Sequence, residues 1–568
     1  MKKFLVISLF ITLPLFAQLN KTGRGVENAF LNGNSVPVWI NFTGKDLQAL
    51  QKPGFEFVSA KSLERRAKVA PEGNLIDFTD LPVNPAYISV VENIGVKIRR
   101  VSKWLNSVSA ELTIEQLREI ERLPFVSEVQ LVAKWKTVHP EVNNEIPLLQ
   151  KPLNSVANDT YDYGNSLSQY EISNIPAMHN RGFTGQGVVI GVFDAGFNLL
   201  SHEVFNNLNI LAAYDFVNND TNVGDENDMG EGSHGTKVLS LIGGFKQGNL
   251  VGPAFNASYI LAKTENTDSE TPLEEDNWIA AMEWADSIGV DILTTSLGYL
   301  DFDPPFQGYT WEDMNGSTAR ITIASDLAVS KGIAVFNSAG NEGSNSTRNT
   351  LSAPADGFAV LAIGSVTATG IRSGFSSVGN TIDGRIKPDL MARGSQCVVV
   401  SSINETGYVT GSGTSYSCPI AAGAAALLLE ANPQLTPAQL SELLKQTASN
   451  SASPNREYGW GIINIDAAYN ALTGIGNENS PADFVLYQNY PNPFNPSTTI
   501  KFSTKSEGIV KLSIYSVTGE LVYEILNNFL PAGQYSVQFD ASELSSGVYF
   551  YNLNINGFSQ FKKMSLVK

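Results

Sequence analysis

Between residues 163 and 472, apolar segments of strand length alternate with segments of helical period. Three of the apolar segments are Gly187–Val192, Val290–Ser296 and Ile333–Ser338, and Trp278–Ile288 is one of the helical segments. Strands that are apolar on both faces are typical of parallel sheets that helices cover on both sides. The pattern therefore predicts an α/β domain with a parallel sheet and helices on both of its faces.

A smaller unit precedes this domain. Residues 36–138 contain the strand-like segments Val36–Phe42 and Val126–Val132 and the helical segment Thr113–Leu123. Lys61–Lys68 is a basic helical segment. We expect a small α+β unit without a catalytic constellation, either an accessory domain or a propeptide that assists folding and is later removed.

The C-terminal part of the chain has a different pattern. Short segments of alternating hydrophobicity recur with Gly and Pro between them, at Thr498–Phe502, Val510–Ser516, Leu521–Ile525, Gly533–Phe539, Val548–Ile555 and Phe558–Leu566. Short strands at regular spacing are typical of β-sandwiches. We therefore expect an all-β sandwich domain here.

Charge and cysteine content exclude several classes of protein. The 568-residue chain has a formal net charge of −18 at pH 7, which disfavours nucleic acid and anionic membranes as partners. Two cysteines, Cys397 and Cys418, are too few for a disulfide scaffold. Whether they pair stays open, and Cys418 is expected to be buried because it lies in an alanine-rich segment.

The N-terminus has the pattern of a signal peptide. Lys2 and Lys3 precede the apolar segment Phe4–Phe16, and Ala17 offers a small residue for cleavage. No later segment is apolar for the roughly 18 residues that a membrane span needs. We expect export through the inner membrane and no transmembrane segment in the mature chain.

Three residues offer the hydroxyl, the base and the orienting carboxylate that acyl transfer by serine requires. Asp194 closes an apolar strand, His234 lies between glycines before a helical segment, and Ser415 precedes Pro419 and an alanine-rich helix. A helix start favours developing negative charge, and Pro419 is expected in its first turn. Singly, Asp194 also fits a turn cap and His234 a helix entry; His202 is a weaker alternative base without flanking glycines.

Two further segments fit the same chemistry. Asn341 follows a strand, where its amide would donate to an oxyanion together with the backbone N–H of Ser415. Ser296, Leu297 and Gly298 end another strand, and their backbone would pair with an extended peptide. Each segment alone also fits an ordinary turn or strand end.

The order Asp, His, Ser along the chain is that of subtilisin. The middle of the chain resembles the subtilisin-like serine proteases in the segments around Asp194, His234, Ser296–Gly298, Asn341, Lys387–Asp389 and Ser415. This resemblance implies a subtilisin-like sheet and a secreted serine endopeptidase that hydrolyses protein or peptide substrates through an acyl-enzyme, with no cofactor required for the chemistry.

The resemblance also implies the role of each residue. Ser415 is the nucleophile, His234 takes its proton, and Asp194 orients the imidazole. Asn341 binds the oxyanion with the Ser415 N–H, and Ser296–Gly298 lines the substrate cleft.

The chain departs from the family pattern at three positions. Ala195 stands where Ser or Thr is usual, and Tyr416 and Ser417 stand where Met and Ala are usual. None of these changes removes a reacting group, so we expect an active enzyme.

The C-terminal domain resembles the sorting domain of the type IX secretion system. The residues that carry this resemblance are Tyr490–Pro496, Thr499–Ile500, Ser516–Gly519, Leu544–Tyr549 and Lys562–Lys563. The resemblance implies transport across the outer membrane by that machinery and a secreted or cell-surface location. A generic β-sandwich or a carbohydrate-binding module is the alternative, although no aromatic platform is evident.

These observations divide the chain into six segments. They are a signal peptide at 1–17, a propeptide-like α+β domain at 18–140, a linker and processing region at 141–162, the catalytic domain at 163–473, a linker at 474–484 and the sorting domain at 485–568.

An acidic segment of the catalytic domain is a weak candidate for structural Ca²⁺, which subtilases often bind. Its candidate ligands are Asp220, Asp225 and Asp228. The spacing does not fit an EF-hand, and a solvated acidic loop is the favoured interpretation.

Two other functions compete with a peptidase. A non-catalytic adhesin would keep the fold as a scaffold and lose a triad residue, but none is lost. An esterase would have a Gly-x-Ser-x-Gly motif and the order Ser, Asp, His, whereas Ser417 occupies the position of the second glycine here.

Overall fold

A computed structural model of the chain describes residues 21–22, 26–30, 35–70, 75–132, 146–147, 159–226, 228–230, 232–267, 273–300, 308–344, 350–473, 484–489, 491–504, 507–516, 521–531, 533–555 and 558–568. The chain forms two compact units, residues 1–469 and 470–568, which are described separately. The predicted signal peptide lies outside the described residues.

The first unit begins with a four-stranded antiparallel sheet in the order β2-β3-β1-β4. Its elements are α1 (Val26–Ala29), β1 (Val36–Phe42), α2 (Ala60–Ala67), α3 (Pro85–Asn93), β2 (Lys97–Ser102), β3 (Ser107–Leu112), α4 (Ile114–Arg122) and β4 (Val126–Leu131). The predicted helix after residue 113 forms because Thr113 and Gln116 make a capping box, and Leu117 and Ile120 face the core. This confirms the small α+β unit.

A seven-stranded sheet dominates the first unit, and every pairing in it is parallel. Its strands are β6 (Val189–Asp194), β7 (Asn209–Asp215), β10 (Ser258–Lys263), β11 (Ile292–Thr295), β12 (Ala334–Ser338), β13 (Leu361–Val366) and β14 (Leu390–Arg393), in the order β14-β13-β12-β11-β6-β10-β7. The predicted parallel sheet is confirmed.

Shorter strands and the helices complete this unit. They are β5 (Ile146–Pro147), α5 (Leu167–Glu171), α6 (Ile175–Asn180), α7 (His234–Gly243), β8 (Phe245–Lys246), β9 (Leu250–Val251), α8 (Leu273–Ile288), α9 (Arg320–Ser330), β15 (Cys397–Val400), β16 (Tyr408–Gly411), α10 (Thr414–Ala431), α11 (Pro437–Thr447) and α12 (Ile465–Thr473), which runs into the second unit. Within the predicted linker, β5 pairs with β16.

Helices cover both faces of the parallel sheet. On one face, Trp278 and Met282 of α8 and Ile321 of α9 join a core with Leu293 and Val335 of the strands. On the other face, α10 packs against α7, and Cys418 of α10 contacts Thr294. Leu293 and Thr294 are consecutive, so their side chains point to opposite faces of β11.

The second unit contains two antiparallel sheets around one apolar core, which confirms the predicted all-β domain. Its strands are β17 (Phe484–Leu486), β18 (Ser497–Thr504), β19 (Gly508–Ser516), β20 (Leu521–Leu530), β21 (Gly533–Asp540), β22 (Gly547–Ile555) and β23 (Phe558–Leu566). The proline-rich segment around residue 492 is bound to β23, because Ser565 donates its N–H to Asn492 Oδ1 (2.8 Å) and accepts from the N–H of Phe494 (2.9 Å).

Among the helices that the structure describes, none has both the length and the apolar character that a membrane span requires. Both cysteines are buried and unpaired with each other. Burial raises the pKa of each thiol to about 12, so neither is a nucleophile at neutral pH.

Candidate active site

Asp194 and His234 lie at the carboxyl edge of the sheet and are in contact. Asp194 is the last residue of β6 and is fully buried, and His234 is the first residue of α7. Asp194 Oδ1 accepts from His234 Nδ1 at 2.7 Å and from the N–H of Ala195 at 2.8 Å. With Nδ1 bonded to the carboxylate, Nε2 is the ring nitrogen that can receive a proton from a nucleophile.

The second oxygen of the same carboxylate, Asp194 Oδ2, is buried and has no hydrogen-bond partner among the described residues. Ala195, which follows it, has no hydroxyl to offer. Gly232 lies against Ala195, because a Cβ added at Gly232 would lie 2.7 Å from Ala195 O. The departure at position 195 therefore leaves a buried acceptor without a donor.

Ser415 is the second residue of α10, directly after the N-cap Gly413 and the first residue Thr414. Its side chain lies at a buried helix N-terminus, where backbone N–H groups lack partners within the helix. Ser415 Oγ donates to Ser296 O at 3.3 Å. The helix start that the sequence predicts is therefore present.

Pro419 is deeper in the helix than expected. It is the sixth residue of α10, beyond the first turn where the sequence suggested it, and it has no N–H for the carbonyl of Ser415 four residues earlier. Ser296 Oγ donates to that carbonyl instead, at 2.9 Å. A strand-end serine thus satisfies the acceptor that the proline leaves open.

The imidazole of His234 stacks on the ring of Tyr416. The ring centroids are 6.2 Å apart and the planes differ by 20°. Tyr416 follows Ser415 directly and is buried. The residue that replaces the usual Met therefore contacts the candidate base.

Asn341 is oriented by Thr414. Asn341 Oδ1 accepts from the backbone N–H of Thr414 at 3.0 Å and from its hydroxyl at 2.9 Å. The Nδ2 amide group therefore points the other way. A Cβ added at Gly413 would lie 3.8 Å from Asn341 Nδ2 and 3.6 Å from the backbone N of Ser415, so both nitrogens border one small space.

Sequence reasoning did not single out Thr414, although it lies in the same Gly-Thr-Ser turn as Ser415. Its role depends on Asn341, which is 73 positions away in the chain. No local pattern could have indicated this contact.

The segment Ser296–Gly298 follows β11 and lies beside Ser415. Ser296 and Leu297 are buried, and Gly298 is partly exposed. A Cβ added at Gly298 would lie 2.2 Å from Ser352 Oγ, so only glycine permits this close approach. Of the three residues, Gly298 is the one with backbone accessible to a peptide.

The other described histidines have structural contacts. His202 is buried; its Nε2 contacts Gly407 O at 2.9 Å, and its Nδ1 accepts from the N–H of Val204. His179 contacts the hydroxyl of Tyr163 and Pro253 O. These contacts leave His234 as the candidate base among the described histidines.

Two of the candidate calcium ligands, Asp220 and Asp225, accept hydrogen bonds from nearby groups. Asp225 accepts from the side chain of Asn198 at 2.6 Å and from the N–H of Gly232 at 2.9 Å, and Asp220 accepts from the N–H of Asn222 at 2.8 Å. The described residues contain no group of three or more His, Cys, Asp or Glu side chains that could hold a metal ion.

Three family models match the chain in succession. "Peptidase S8 propeptide domain, Bacteroidota" matches residues 37–146, "Subtilase family" matches residues 185–461, and "Secretion system C-terminal sorting domain" matches residues 488–567. The middle match contains the contact between Asp194 and His234 and the helix start at Ser415.

Sequence relatives agree with this assignment. The chain is 32% identical over 383 residues to Subtilisin NAT of Bacillus subtilis subsp. natto, an alignment that spans 67% of this chain and 84% of that protein. It is 35% identical over 304 residues to Subtilisin of Bacillus pumilus, spanning 53% of this chain and 98% of that protein. A solved cold adapted subtilisin-like serine proteinase is 30% identical, covers 50% of this chain and 88% of its own, and has a TM-score of 0.37.

The family model and the sequence relatives define a serine-type endopeptidase. The chain belongs to the subtilase family, and it carries a propeptide domain and a C-terminal sorting domain.

Proposed function

We propose that this protein is a secreted endopeptidase that hydrolyses peptide bonds with the triad Asp194, His234 and Ser415. The observation that carries the proposal is the 2.7 Å contact between His234 Nδ1 and Asp194 Oδ1. Tyr416, which follows Ser415 at a buried helix start, stacks on the same imidazole. An imidazole held by a carboxylate next to a serine at a helix N-terminus is the arrangement that activates a hydroxyl.

The reaction proceeds in two halves. Ser415 Oγ attacks the scissile carbonyl carbon while His234 Nε2 takes its proton; the same proton then goes to the leaving amine as the C–N bond breaks. Water attacks the resulting acyl-enzyme, gives a proton to His234, and Ser415 regains a proton when the acid product leaves. Asp194 stabilises the imidazolium in both halves.

The oxyanion of each tetrahedral intermediate lies between Asn341 Nδ2 and the N–H of Ser415. Thr414 supports this role because it occupies Asn341 Oδ1 and so turns the amide donor toward the nucleophile. An extended substrate would pair with the accessible backbone at Gly298, and Ser296 and Leu297 form the buried base of that edge.

The terminal segments serve maturation and export. We assign residues 1–17 as a signal peptide, 18–140 as the propeptide, 141–162 as the processing region, 163–473 as the catalytic domain, 474–484 as a linker and 485–568 as the sorting domain. The type IX secretion machinery is the proposed partner of the last segment, and the processed enzyme acts on proteins or peptides outside the outer membrane.

A fluorophosphonate probe tests the triad. Purified, processed protein should become labelled at Ser415, and the Ser415→Ala variant should not react. The matched control is Ser417→Ala, which removes a buried hydroxyl that donates to Thr414 O at 2.8 Å and lies two positions from the proposed nucleophile. A processed chain that is not labelled would favour the adhesin.

Export is tested separately. The full chain and a chain that ends at residue 484 should be expressed in a bacterium that has the type IX machinery. We expect the full chain at the cell surface or in the medium and the shortened chain inside the outer membrane. Equal amounts of both outside the cell would contradict the role of residues 485–568.

A further inference from the structure

The basic helix of the propeptide domain lies far from the candidate active site. Ser59, the N-cap of α2, donates its N–H to Ser287 O at 2.9 Å and its hydroxyl to Ile288 O at 2.7 Å. Both carbonyls belong to the last two residues of α8. This helix leads from the carboxyl edge of the parallel sheet back to its amino edge, where β11 begins. Asp194 and Ser296 lie at the opposite, carboxyl edge.

Arg65 of α2 is inserted into this amino edge. Its side chain is 2% exposed and pairs with Asp286 of α8. Its Nη1 and Nε groups donate to Val290 O at 2.6 Å and Lys331 O at 3.1 Å, carbonyls of the short segments before β11 and β12. One propeptide side chain therefore contacts a helix end and two strand starts of the catalytic domain.

Arg66 extends the same network. It pairs bidentately with Asp80 of the propeptide domain, at 2.8 Å for both bonds, and with Asp286 Oδ2 at 2.5 Å. Lys331 of the catalytic domain donates to both oxygens of Asp80 at 3.1 Å. Asp80 and Asp286 are fully buried at their side chains, so each charge has its partners inside the interface.

We define the charged clamp as Arg65, Arg66, Asp80, Asp286 and Lys331. It adjoins the contact made by the propeptide sheet, where Glu283 of α8 accepts from Ser102 Oγ at 2.6 Å and from the N–H of Trp104 at 3.1 Å. Lys331 of the clamp lies over the Trp104 ring, 5.7 Å from its centroid. Arg320 of α9, in the catalytic domain, donates to Gln130 Oε1 of β4, in the propeptide sheet, at 2.7 Å. The propeptide domain therefore contacts the catalytic domain through its sheet and, next to it, through α2.

We propose that the charged clamp is a second attachment site, at the edge of the sheet opposite the active site, which holds the cleaved propeptide on the catalytic domain and limits its release. The partner is the α2 segment of the chain itself. Release of α2 separates Asp286 from Arg65 and Arg66 and separates Lys331 from Asp80. Several buried charges must therefore lose their partners together, which slows dissociation. The inference rests on the proposed removal of residues 18–140.

The inference is tested by measuring release of the propeptide from protein that is produced as the full chain and then processed. The fragment and the catalytic chain should elute together, and the dissociation rate can be followed on dilution by the gain of peptidase activity. Arg65→Ala should raise that rate at least about 30-fold, as expected for one partner removed from a buried charge pair. Lys52→Ala is the control, since it removes an exposed cation of the propeptide domain that lies before α2. Equal release rates for Arg65→Ala and wild type would overturn the proposal.

A second measurement needs no clamp substitution and no cleavage. In the full-length Ser415→Ala precursor, hydrogen exchange should protect the amides of α2 as strongly as those of β1 and β3. Exchange of the α2 amides at the rate of an unstructured peptide would overturn the clamp. If this protection is found but wild-type protein is never cleaved, the processing proposal fails and the attachment site stands.

Discussion

Ser296 and Ser415 exchange hydrogen bonds across 119 positions of the chain. Ser296 Oγ donates to Ser415 O at 2.9 Å, and Ser415 Oγ donates to Ser296 O at 3.3 Å. The first bond satisfies the carbonyl that Pro419 leaves without a helical donor. The second locates the proposed nucleophile against the end of β11. Ser296 therefore supports the helix that carries Ser415.

Ser296→Ala should destabilise the protein. The substitution leaves the buried carbonyl of Ser415 without a donor, which costs about 1–3 kcal/mol. Chemical unfolding in a Ser415→Ala background measures this without self-digestion. Ser338→Ala is the control, because its hydroxyl makes a longer bond of 3.4 Å to Leu297 O. Similar losses for the two variants would contradict a specific role for Ser296.

Asn341→Ala should lower kcat by roughly 10²–10³ with little change in KM, because it removes a donor used only when the oxyanion forms. Thr414→Val keeps the Asn341 amide and removes one of the bonds that orient it, so a smaller loss, about 3–10-fold, is expected. Steady-state kinetics on a peptide amide measures both effects. A loss seen only in KM would argue against the oxyanion role.

Ala195→Ser should stabilise the protein by about 1 kcal/mol, because its hydroxyl would donate to the buried oxygen Asp194 Oδ2. Ala195→Cys is the control, because it adds a sulfur atom at the same position but only a weak hydrogen-bond donor. The comparison distinguishes the effect of the hydrogen bond from the effect of the added volume. Unfolding free energies in the Ser415→Ala background provide the comparison. A serine variant no more stable than the cysteine variant would contradict this prediction.

His179 should contribute to acid sensitivity. Burial lowers its pKa from 6.5 to about 4, so below pH 6.5 the unfolded chain binds a proton that the folded chain does not. Stability is therefore retained above pH 6.5 and falls as the pH drops toward 4, by up to about 3 kcal/mol from this group.

Urea unfolding of the Ser415→Ala protein between pH 7 and pH 4 measures this loss. His179→Gln is expected to be less stable at pH 7, because it loses the contacts with Tyr163 and Pro253 O, and to have a shallower dependence on pH. An unchanged pH slope in the variant would show that His179 is not responsible.

Local patterns predicted most of the secondary structure. The strand Val36–Phe42 and the helix after Thr113 form where their periodicity indicated, because the alternation of apolar residues and the capping box are properties of adjacent residues. The alanine-rich helix begins at Thr414, next to Ser415 as predicted, but contains Pro419 beyond its first turn. Here a bond from a distant strand compensates for the proline, which no local rule could include.

The sequence by itself determined the family, the parallel sheet and the candidate residues at its carboxyl edge, since these depend on short motifs and their order. Only the tertiary structure decided which groups meet. Thr414 orients Asn341 across 73 positions, and Arg65 reaches Asp286 across 221. Hydrogen bonds and buried ion pairs depend on distances within a few ångströms, and these are set by the packing of the whole domain and not by neighbours in the chain.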